Sequence, residues 1–422
     1  MNLLLSAYAC APNIGSEPGI GWNFAMELSR NPNNRVTVVT RIMNRSAIQQ
    51  FFLEEPQPEN LEFWYMDLPR WTYSWWEVTS PIEHIYYFFW QIALRRFVKQ
   101  KMKKGHTFDL IHHITLGLFR TPVFLGNLGI PFAFGPIGGG EKAPFRLLKG
   151  VERRSMIKDM LRHTVNVVSS YNPLLRRSFR QSSVILCKTS ETQNLIPKRY
   201  QSKSHIALEL GIPEARPAVH RETGRRARKL LYVGRMEYWK GIHLGIEAFA
   251  RLRTTQPEVE FTIIGGGSDL EWLKSKAQEH GVLDHIQWID RVPQARLFQM
   301  YQDYDLLLFP SMHDSSGGVV LESLHFGLPV ICLDLGGPKE ILDEQSGLVV
   351  STHKKNESEV VDGLVEAVSR VIDDVPFFVS LQEGALARAA QFTWPKVVAQ
   401  TYQLIASSQV LPDQVKPDIL VH

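Results

Sequence analysis

Two carboxylates flank a polar loop in the second half of the chain, and their spacing suits the binding of sugar hydroxyls. Asp314 follows an apolar run, and Glu322 comes eight positions later in a segment that reads as a helix. Carboxylates accept hydrogen bonds from sugar and ribose hydroxyls. The backbone amides of Ser316–Val319, at the start of the helix, suit phosphate oxygens. Capping of the helix by Asp314 or Ser316 is the plain structural alternative.

Two cations follow another apolar run. The run ends at Val233, and Arg235 and Lys240 lie in the loop before the next helical segment. In open α/β sheets, ligands bind beyond the carboxyl ends of the strands. Arg235 and Lys240 could neutralise a diphosphate there without a metal ion, although two solvated surface cations would give the same pattern.

A glycine-rich turn and a histidine pair carry the candidate chemistry of the first half. Gly15 and Gly19 lie between the first apolar run and a helix, where backbone N–H groups can approach a phosphate. The turn matches neither the dinucleotide motif nor the P-loop, and a purely structural turn is the alternative. His112 and His113 end a later strand. Because side chains alternate along a strand, only one of the two can easily face a ligand cleft. We expect this one to be His113 and His112 to be packed.

Taken together, these motifs resemble glycosyltransferase family 4. Asp314 to Glu322 is similar to the E-x7-E signature of that family, with Asp in place of the first Glu. The resemblance covers nearly the whole chain, with its most specific parts in the second half. The other similar segments are Gly234–Gly241, Ile264–Gly267, Phe326–Val330 and Phe392–Trp394, and, as in a bacterial branch of the family, Gly15–Trp22 and Gly135–Glu141.

The resemblance implies the GT-B fold: an α/β protein with two Rossmann-like domains facing across a cleft and a C-terminal helix crossing back to the first domain. It also implies transfer of a sugar from a UDP- or GDP-linked donor to a glycan or lipid-linked acceptor, with retention of anomeric configuration and no cofactor. The expected setting is cell-surface polysaccharide or glycolipid synthesis. A catalytically silent subunit that binds nucleotide-sugar or lipid, and a GT-B nucleotide-sugar epimerase, are the alternatives.

The resemblance also implies roles for individual residues. Arg235 and Lys240 hold the donor diphosphate, Glu322 holds the ribose, and Asp314 holds hydroxyls of the transferred sugar with a shorter reach than Glu has. The implied catalytic residues are His113, Arg235, Lys240 and Asp314. The implied donor-binding residues are Gly15, Gly19, Arg235, Lys240, Ser316, Gly317, Gly318, Val319 and Glu322. The implied acceptor-binding residues are Glu17, Gly139 and Glu141.

Apolar runs separated by amphipathic segments must position these residues, and the pattern occurs twice, which predicts two parallel sheets covered by helices. The predicted strands are Leu3–Ala9, Arg35–Thr40, Leu110–Ile114, Pro131–Phe134, Val184–Cys187, a stretch near Ile206, Lys229–Val233, Glu260–Ile264, Ile286–Ile289, Leu306–Phe309 and Pro329–Leu333. The predicted domains are an acceptor-binding domain (1–214), a linker (215–228), a nucleotide-sugar-binding domain (229–391), a crossing helix (392–408) and a tail (409–422).

Composition and charge narrow the possible partners. A net charge of +4 gives no whole-chain attraction to nucleic acid, and no nucleic-acid motif is present. Residues 146–180 carry nine basic and two acidic residues, and aromatic residues crowd Trp64–Trp90. Together these segments predict a surface that contacts the acceptor or an anionic membrane. Buried helix packing of Ile85–Val98 is the alternative.

Several features argue against a secreted, membrane-spanning or metal-dependent protein. The cysteines Cys10, Cys187 and Cys332 form no paired motif, the start lacks a basic signal region, and no apolar stretch reaches the roughly 18 residues of a spanning helix. We therefore expect a cytoplasmic protein with peripheral contact at the inner face of the plasma membrane. Asp303-Tyr304-Asp305 has the spacing of a metal site but begins a buried strand away from its ligand end, so no metal site is predicted.

Overall fold

The computed structural model describes residues 1–69, 80–151, 153–215 and 226–408. Contacts within the chain divide it into two compact units. The first comprises Met1–Gly140, Thr164–Glu209 and Trp394–His422, and the second comprises Glu141–His163 and Leu210–Thr393. Glu141–His163 therefore groups with the second unit, although it precedes the predicted linker at 215–228. Residues 216–225 of that linker and the predicted tail (409–422) lie outside the described residues.

The first unit is built on a parallel sheet. Its strands are β1 (Asn2–Ser6), β2 (Arg35–Thr40), β3 (Leu61–Tyr65), β4 (Leu110–His113), β5 (Phe132–Ile137), β6 (Val184–Cys187) and β7 (Ser204–Ile206). Their order across the seven-stranded sheet is β3-β2-β1-β4-β5-β6-β7. The helices of this unit are α1 (Glu17–Ser29), α2 (Arg45–Glu54), α3 (Ser80–Lys103), α5 (Pro173–Gln181), α6 (Ser190–Leu195), α7 (Lys198–Gln201) and α15 (Trp394–Ser407). The last of the described helices, α15, packs on α1.

The second unit is built on a second parallel sheet. Its strands are β8 (Lys229–Val233), β9 (Glu260–Ile264), β10 (Ile286–Ile289), β11 (Leu306–Phe309), β12 (Val330–Leu333) and β13 (Gly347–Val350), in the order β10-β9-β8-β11-β12-β13. Its helices are α8 (Ile242–Arg253), α9 (Leu270–Glu279), α10 (Gln294–Met300), α11 (Gly318–His325), α12 (Gly336–Ile341), α13 (Glu357–Asp373) and α14 (Val375–Ala389). Helix α4 (Arg153–Ser169) begins in the second unit and ends in the first.

Each sheet reverses its strand order at one point, between β1 and β4 in the first unit and between β8 and β11 in the second. Ligands of open α/β sheets bind beyond the carboxyl ends of the strands at such a reversal. The register pairs Ser6 with His113 in the first sheet and Leu231 with Leu307 in the second. The loops that follow these strands therefore start side by side, and they carry most of the predicted site residues.

The predicted parallel sheets and all of the predicted strands are confirmed, with shifted ends. Two strands, β3 and β13, were not predicted. Both lie at a sheet edge and expose side chains there, Glu62 in β3 and Val349 in β13. A partly exposed edge strand lacks the continuous apolar run that identifies a central parallel strand.

The aromatic side chains of α3 pack into the core of the first unit. Tyr86, Tyr87 and Trp90 are each at most 3% exposed, and Trp64 of β3 is 5% exposed. For these residues the predicted aromatic contact surface is wrong. The alternative of buried helix packing of Ile85–Val98 holds for them but not for Ile85 and Phe89, which are 50% and 48% exposed. The predicted aromatic residues Trp71, Tyr73, Trp75 and Trp76 lie outside the described residues. None of the described helices combines the length and the apolarity needed to cross a membrane.

Candidate functional site

The second unit brings Lys240 against Asp314. Lys240 ends the loop after β8, and Asp314 lies in the loop between β11 and α11, residues 310–317, here called the Asp314 loop. Gly241 has a left-handed φ of 65°, and a Cβ atom at this position would collide with the carbonyl oxygen of Pro310. This close approach of the two loops needs glycine. It allows the Lys240 ammonium to form an ion pair with the Asp314 carboxylate.

The Asp314 carboxylate gathers three donors. One oxygen accepts hydrogen bonds from the backbone amides of Ser316, at 3.1 Å, and Gly317, at 2.9 Å, and the other accepts from Lys240 Nζ. Burial raises the pKa of Asp314, but the Lys240 charge and the hydrogen bonds outweigh it and hold the pKa below its ordinary value. Asp314 thus holds the turn before α11, whose N-cap residue is Gly317 and has no side-chain cap, and is also ion-paired. A cation and two amides converging on one anionic group are the donor types that hold phosphate.

Glu322 lies on α11 and is held by two residues that sequence reasoning missed. Its carboxylate accepts hydrogen bonds from Gln294 Nε2 at 3.0 Å and from the Tyr301 hydroxyl at 3.1 Å. Burial raises the pKa of Glu322, and these two bonds oppose the rise only in part. Tyr301 is fully buried, so it fixes one side of the carboxylate.

The remaining predicted donor residues lie on the same loops. Arg235 is exposed after β8, with its guanidinium carbon 5.9 Å from the ring centre of Trp239. Gly318 and Val319 form the first turn of α11 and are half-buried. The first N–H groups of a helix have no partner within it, so this turn can donate to an anion. The structure thus joins Lys240 directly to the Asp314 loop and places Arg235 on the neighbouring loop.

A buried polar cluster links the Asp314 loop to residues of Glu141–His163. The Ser315 hydroxyl donates to the Glu141 carboxylate at 2.7 Å, and His313 Nε2 lies 3.9 Å from the same oxygen. Arg162 donates to His313 Nδ1 at 3.3 Å. Burial, with the Arg162 charge, lowers the pKa of His313 to about 4, so this imidazole is neutral near pH 7 and can accept that bond.

Glu141, predicted to bind the acceptor, therefore lies beside the Asp314 loop in the second unit. His313 and Arg162 are the members of this cluster that sequence reasoning missed. Arg162 and His313 are 151 positions apart, and Ser315 and Glu141 are 174 apart. No local spacing pattern signals contacts of that separation.

In the first unit, His112 and His113 are both fully buried at the end of β4. His113 Nδ1 is 2.9 Å from the Ser6 hydroxyl, and its Nε2 is 2.7 Å from the Tyr87 hydroxyl. His112 Nδ1 is 3.1 Å from the Tyr402 hydroxyl, and its Nε2 donates to a β5 carbonyl at 2.8 Å. Burial lowers the pKa of His112 to about 4 and, with the neighbouring His112, that of His113 to about 3. The expected contrast between one packed and one accessible histidine is absent.

Glu17 begins α1 and is fixed by a buried lysine. Its carboxylate accepts the Leu116 N–H at 2.8 Å and lies 3.3 Å from Lys188 Nζ. Lys188 is also ion-paired with Glu209, and both of these side chains are buried. Burial lowers the pKa of Lys188, but the two carboxylates outweigh it and raise the pKa above its ordinary value. Glu17 is therefore part of a charged network rather than a freely moving side chain.

The predicted glycines of the first unit differ in exposure. Gly15 is exposed in the loop before α1, whereas Gly19 is buried inside that helix against the carbonyl of Ile14. Gly139 has a φ of 93°, and its carbonyl accepts a hydrogen bond from Asn166 Nδ2 at 2.8 Å.

The Asp303-Tyr304-Asp305 segment has a structural role. Asp305 is fully buried and accepts hydrogen bonds from the backbone N–H groups of Arg228, at 2.8 Å, and Lys229, at 2.9 Å. Its carboxylate thus ties the start of β8 to the start of β11. Within the described part of the chain, no group of three or more His, Cys, Asp or Glu residues is placed to hold a metal ion.

Two parallel sheets with Rossmann strand order, and a last helix that returns to the first unit, define the GT-B class of α/β proteins. A solved structure of Anabaena Alr3699/HepE in complex with UDP is similar to this chain with a TM-score of 0.58 at 14% identity, over 96% of this chain and 99% of that one. At this identity, the likeness concerns the fold alone.

Residues 217–375 match the family model described as glycosyl transferases group 1. The chain is 30% identical over 257 residues to a glycogen synthase of Mycobacterium tuberculosis, covering 60% of this chain and 59% of that protein. It is 27% identical over 232 residues to a D-inositol 3-phosphate glycosyltransferase of Corynebacterium aurimucosum, covering 53% and 51%. The chain thus spans less than two thirds of the length of these relatives. The similarity to group 1 glycosyl transferases thus covers residues 217–375.

Proposed function

We propose that this protein is a retaining glycosyltransferase of family 4 that transfers a sugar from a nucleotide-diphosphate donor to a glycan or lipid-linked acceptor without a metal ion. One observation carries the proposal. Lys240 and the amides of Ser316 and Gly317 all donate to one anionic group, the Asp314 carboxylate, at the point where the strand order reverses. A donor diphosphate needs such an arrangement of donors at that place in the sheet.

The chemistry follows from the charge that develops on the donor. The bond between the sugar carbon and the diphosphate oxygen breaks, and the diphosphate keeps the electron pair. Lys240, the exposed Arg235 and the amides at the start of α11 stabilise that charge, and Lys240 exchanges the Asp314 carboxylate for the diphosphate to do so. The acceptor hydroxyl attacks the sugar carbon from the leaving-group face, and its proton passes to the departing diphosphate. Asp314 then orients hydroxyls of the transferred sugar, and Glu322 binds the ribose.

Related proteins support the choice of donor and setting. Alr3699/HepE was solved with UDP, and the two sequence relatives are named as a glycogen synthase and as a glycosyltransferase acting on D-inositol 3-phosphate. We infer a UDP- or GDP-linked donor and a role in polysaccharide or glycolipid synthesis at the inner face of the plasma membrane. His113 has a positioning role through its buried contacts with the Ser6 and Tyr87 hydroxyls. Glu17, Gly139 and Glu141 bind the acceptor.

A catalytically silent donor-binding subunit is the second candidate, and two observations favour it. Asp314 already occupies Lys240 and two amides, and both β4 histidines are fully buried. Such a subunit would bind nucleotide-sugar without releasing nucleotide.

A nucleotide-release screen with UDP-, GDP- and ADP-sugars, with and without EDTA, tests the proposal. A bacterial polar lipid extract serves as the source of acceptor. We expect release from one donor, unchanged by EDTA. Loss of release with EDTA would overturn the metal-free site, and donor binding without release under all conditions would favour the silent subunit.

A further inference from the structure

The second unit contains a pocket of about 290 Å³ whose lining residues are not among the predicted donor-binding residues. Ligand pockets have volumes of roughly 300–1,000 Å³, so this one suits a single small ring rather than an extended chain. All of its lining residues belong to the second unit. They include Asp159 and Arg162 of α4, Glu237, Tyr238 and Trp239 of the loop after β8, and Asp269 of the loop after β9. We call it the Trp239 pocket.

Two carboxylates of the Trp239 pocket are held in place by donors of the protein. Asp269 accepts the Tyr238 N–H at 2.7 Å, and Glu237 accepts the Ser268 hydroxyl through Oε2 at 2.8 Å. The other oxygen of Glu237 has no hydrogen-bond partner among the described residues. Because a carboxylate has about four acceptor positions, both side chains can accept further hydrogen bonds from a ligand.

The charge of the pocket limits what it can bind. Asp159 is 6% exposed and ion-paired with Arg162 at 2.8 Å, whereas Glu237 and Asp269 form no ion pair with a described residue. The two uncompensated carboxylates repel a phosphate or carboxylate group. The pocket therefore suits neither the donor diphosphate nor a phosphorylated acceptor of the kind named for the Corynebacterium aurimucosum relative.

Aromatic side chains form another part of the pocket wall. Tyr238 is 6% exposed, and its hydroxyl donates to the Ser155 carbonyl at 3.2 Å. Trp239 is half-buried, and its ring lies edge-to-face with that of Tyr238, with the ring centres 5.0 Å apart. A pyranose sugar carries hydroxyl donors at its rim and C–H groups on its faces. It can therefore donate to the carboxylates while its C–H face packs on an aromatic ring.

The Trp239 pocket is tied to the Asp314 loop at two points. The Met312 N–H donates to the Trp239 carbonyl at 2.9 Å, and Arg162 donates to His313 Nδ1 at 3.3 Å. Met312 and His313 both belong to the Asp314 loop. A sugar in the pocket would thus lie beside the loop that is proposed to hold the transferred sugar.

We propose that the Trp239 pocket binds a sugar unit of the acceptor, and that this unit carries no negative charge. Glu237 and Asp269 accept hydrogen bonds from its hydroxyls, and Trp239 packs on its C–H face. This inference rests on the proposed function and deepens it, because it names the acceptor as a glycan with such a sugar. Its test measures sugar binding without donor or turnover, so failure of one is distinguishable from failure of the other.

The test is saturation-transfer NMR of the full chain with the methyl glycosides of glucose, galactose and mannose and with those of the three matching uronic acids. We expect saturable binding of at least one neutral glycoside and at least about ten-fold weaker binding of its uronic acid, because like charges repel. Trp239→Ala and, separately, Glu237→Gln should weaken binding of that neutral glycoside by about ten-fold. The matched control is Glu271→Gln, which changes a side chain that is 84% exposed outside the pocket and should bind as the wild type does.

Three results would overturn the proposal. The first is absence of saturable binding of all three neutral glycosides, and the second is binding of a uronic acid as tight as that of its neutral counterpart. The third is wild-type binding by Glu237→Gln together with loss of binding in Asp314→Asn, because the sugar would then occupy the position of the transferred sugar. Circular dichroism and the melting temperature show which variants are folded. If Trp239→Ala is unfolded, Glu237→Gln decides, because it keeps the side-chain volume.

Discussion

Replacing Lys240 by Met removes the cation of the Lys240–Asp314 pair and keeps most of the side-chain volume. The two side chains are 11% and 18% exposed, so the pair is largely shielded from water. Asp314 keeps its two amide hydrogen bonds, of 2.9 and 3.1 Å. The lost hydrogen bond between charged groups should lower the free energy of unfolding by about 1.5–3 kcal/mol. A buried carboxylate left with no partner would cost about 3–5 kcal/mol.

The same change should weaken donor binding and catalysis. We expect turnover to fall at least about ten-fold and up to about a hundred-fold, since one preorganised donor at a developing charge contributes about 3 kcal/mol. Binding of free UDP or GDP should weaken by at least about ten-fold as well. Asp314→Asn should leave that binding equal or make it tighter, because it frees Lys240 and removes a negative charge. The double variant should then bind as weakly as Lys240→Met alone.

Calorimetric titration with UDP and GDP, and denaturant unfolding, measure both effects. Lys274→Met is the control, because Lys274 forms an exposed pair with Glu271 at 3.3 Å that should contribute less than about 1 kcal/mol. Wild-type nucleotide affinity in Lys240→Met would refute the assignment of Lys240 to the diphosphate. Recovery of affinity in the double variant would show that Lys240 serves only to neutralise Asp314.

Three further changes test other parts of the molecule. Glu322→Gln should weaken UDP or GDP binding by about ten-fold, because a neutral amide accepts weaker hydrogen bonds than a carboxylate; calorimetric affinity equal to wild type would remove Glu322 from the ribose site. Burial lowers the pKa of His113 to about 3, so the contribution of the neutral imidazole to stability is present above the unfolded pKa of about 6.5 and is lost as pH falls. The melting temperature of His113→Gln should therefore fall less than that of the wild type between about pH 7 and about pH 5. Equal falls in the two proteins would contradict this. Burial, and after it the Glu247 charge, raises the pKa of Glu357 to about 7, so the contribution of Glu357 to stability is present below the unfolded pKa and is lost as pH rises through about 7. Glu357→Gln should therefore raise the melting temperature more at about pH 8 than at about pH 5. An equal change at both pH values would count against this reasoning.

The central strands and the loops that follow them were predictable because their signals are local. Continuous apolar runs identify buried parallel strands, and polar residues directly after them lie at the ligand-binding edge. This reasoning placed Lys240 and Asp314 each in a loop after a strand, and the strand order of the structure brings the two loops together.

What the sequence could not predict depends on partners far along the chain. The histidine pair was expected to have one packed and one accessible member, because alternation along a strand was the available rule. That rule says nothing of Tyr87, which covers His113, or of Tyr402, which lies 290 positions from His112. Likewise, the burial of the polar side chains Asp159 and Asn166 on α4 depends on contacts that composition alone does not reveal.

The contact between His112 and Tyr402 can form only late in the synthesis of the chain on the ribosome. Tyr402 is made 290 residues after His112, which at roughly 5–20 residues per second is a delay of about 15–60 s. During that time α1 emerges without α15, the helix that packs on it. The first unit to be translated is therefore the last to be completed, and the side of α1 that contacts α15 stays uncovered by that helix until the second unit has been made.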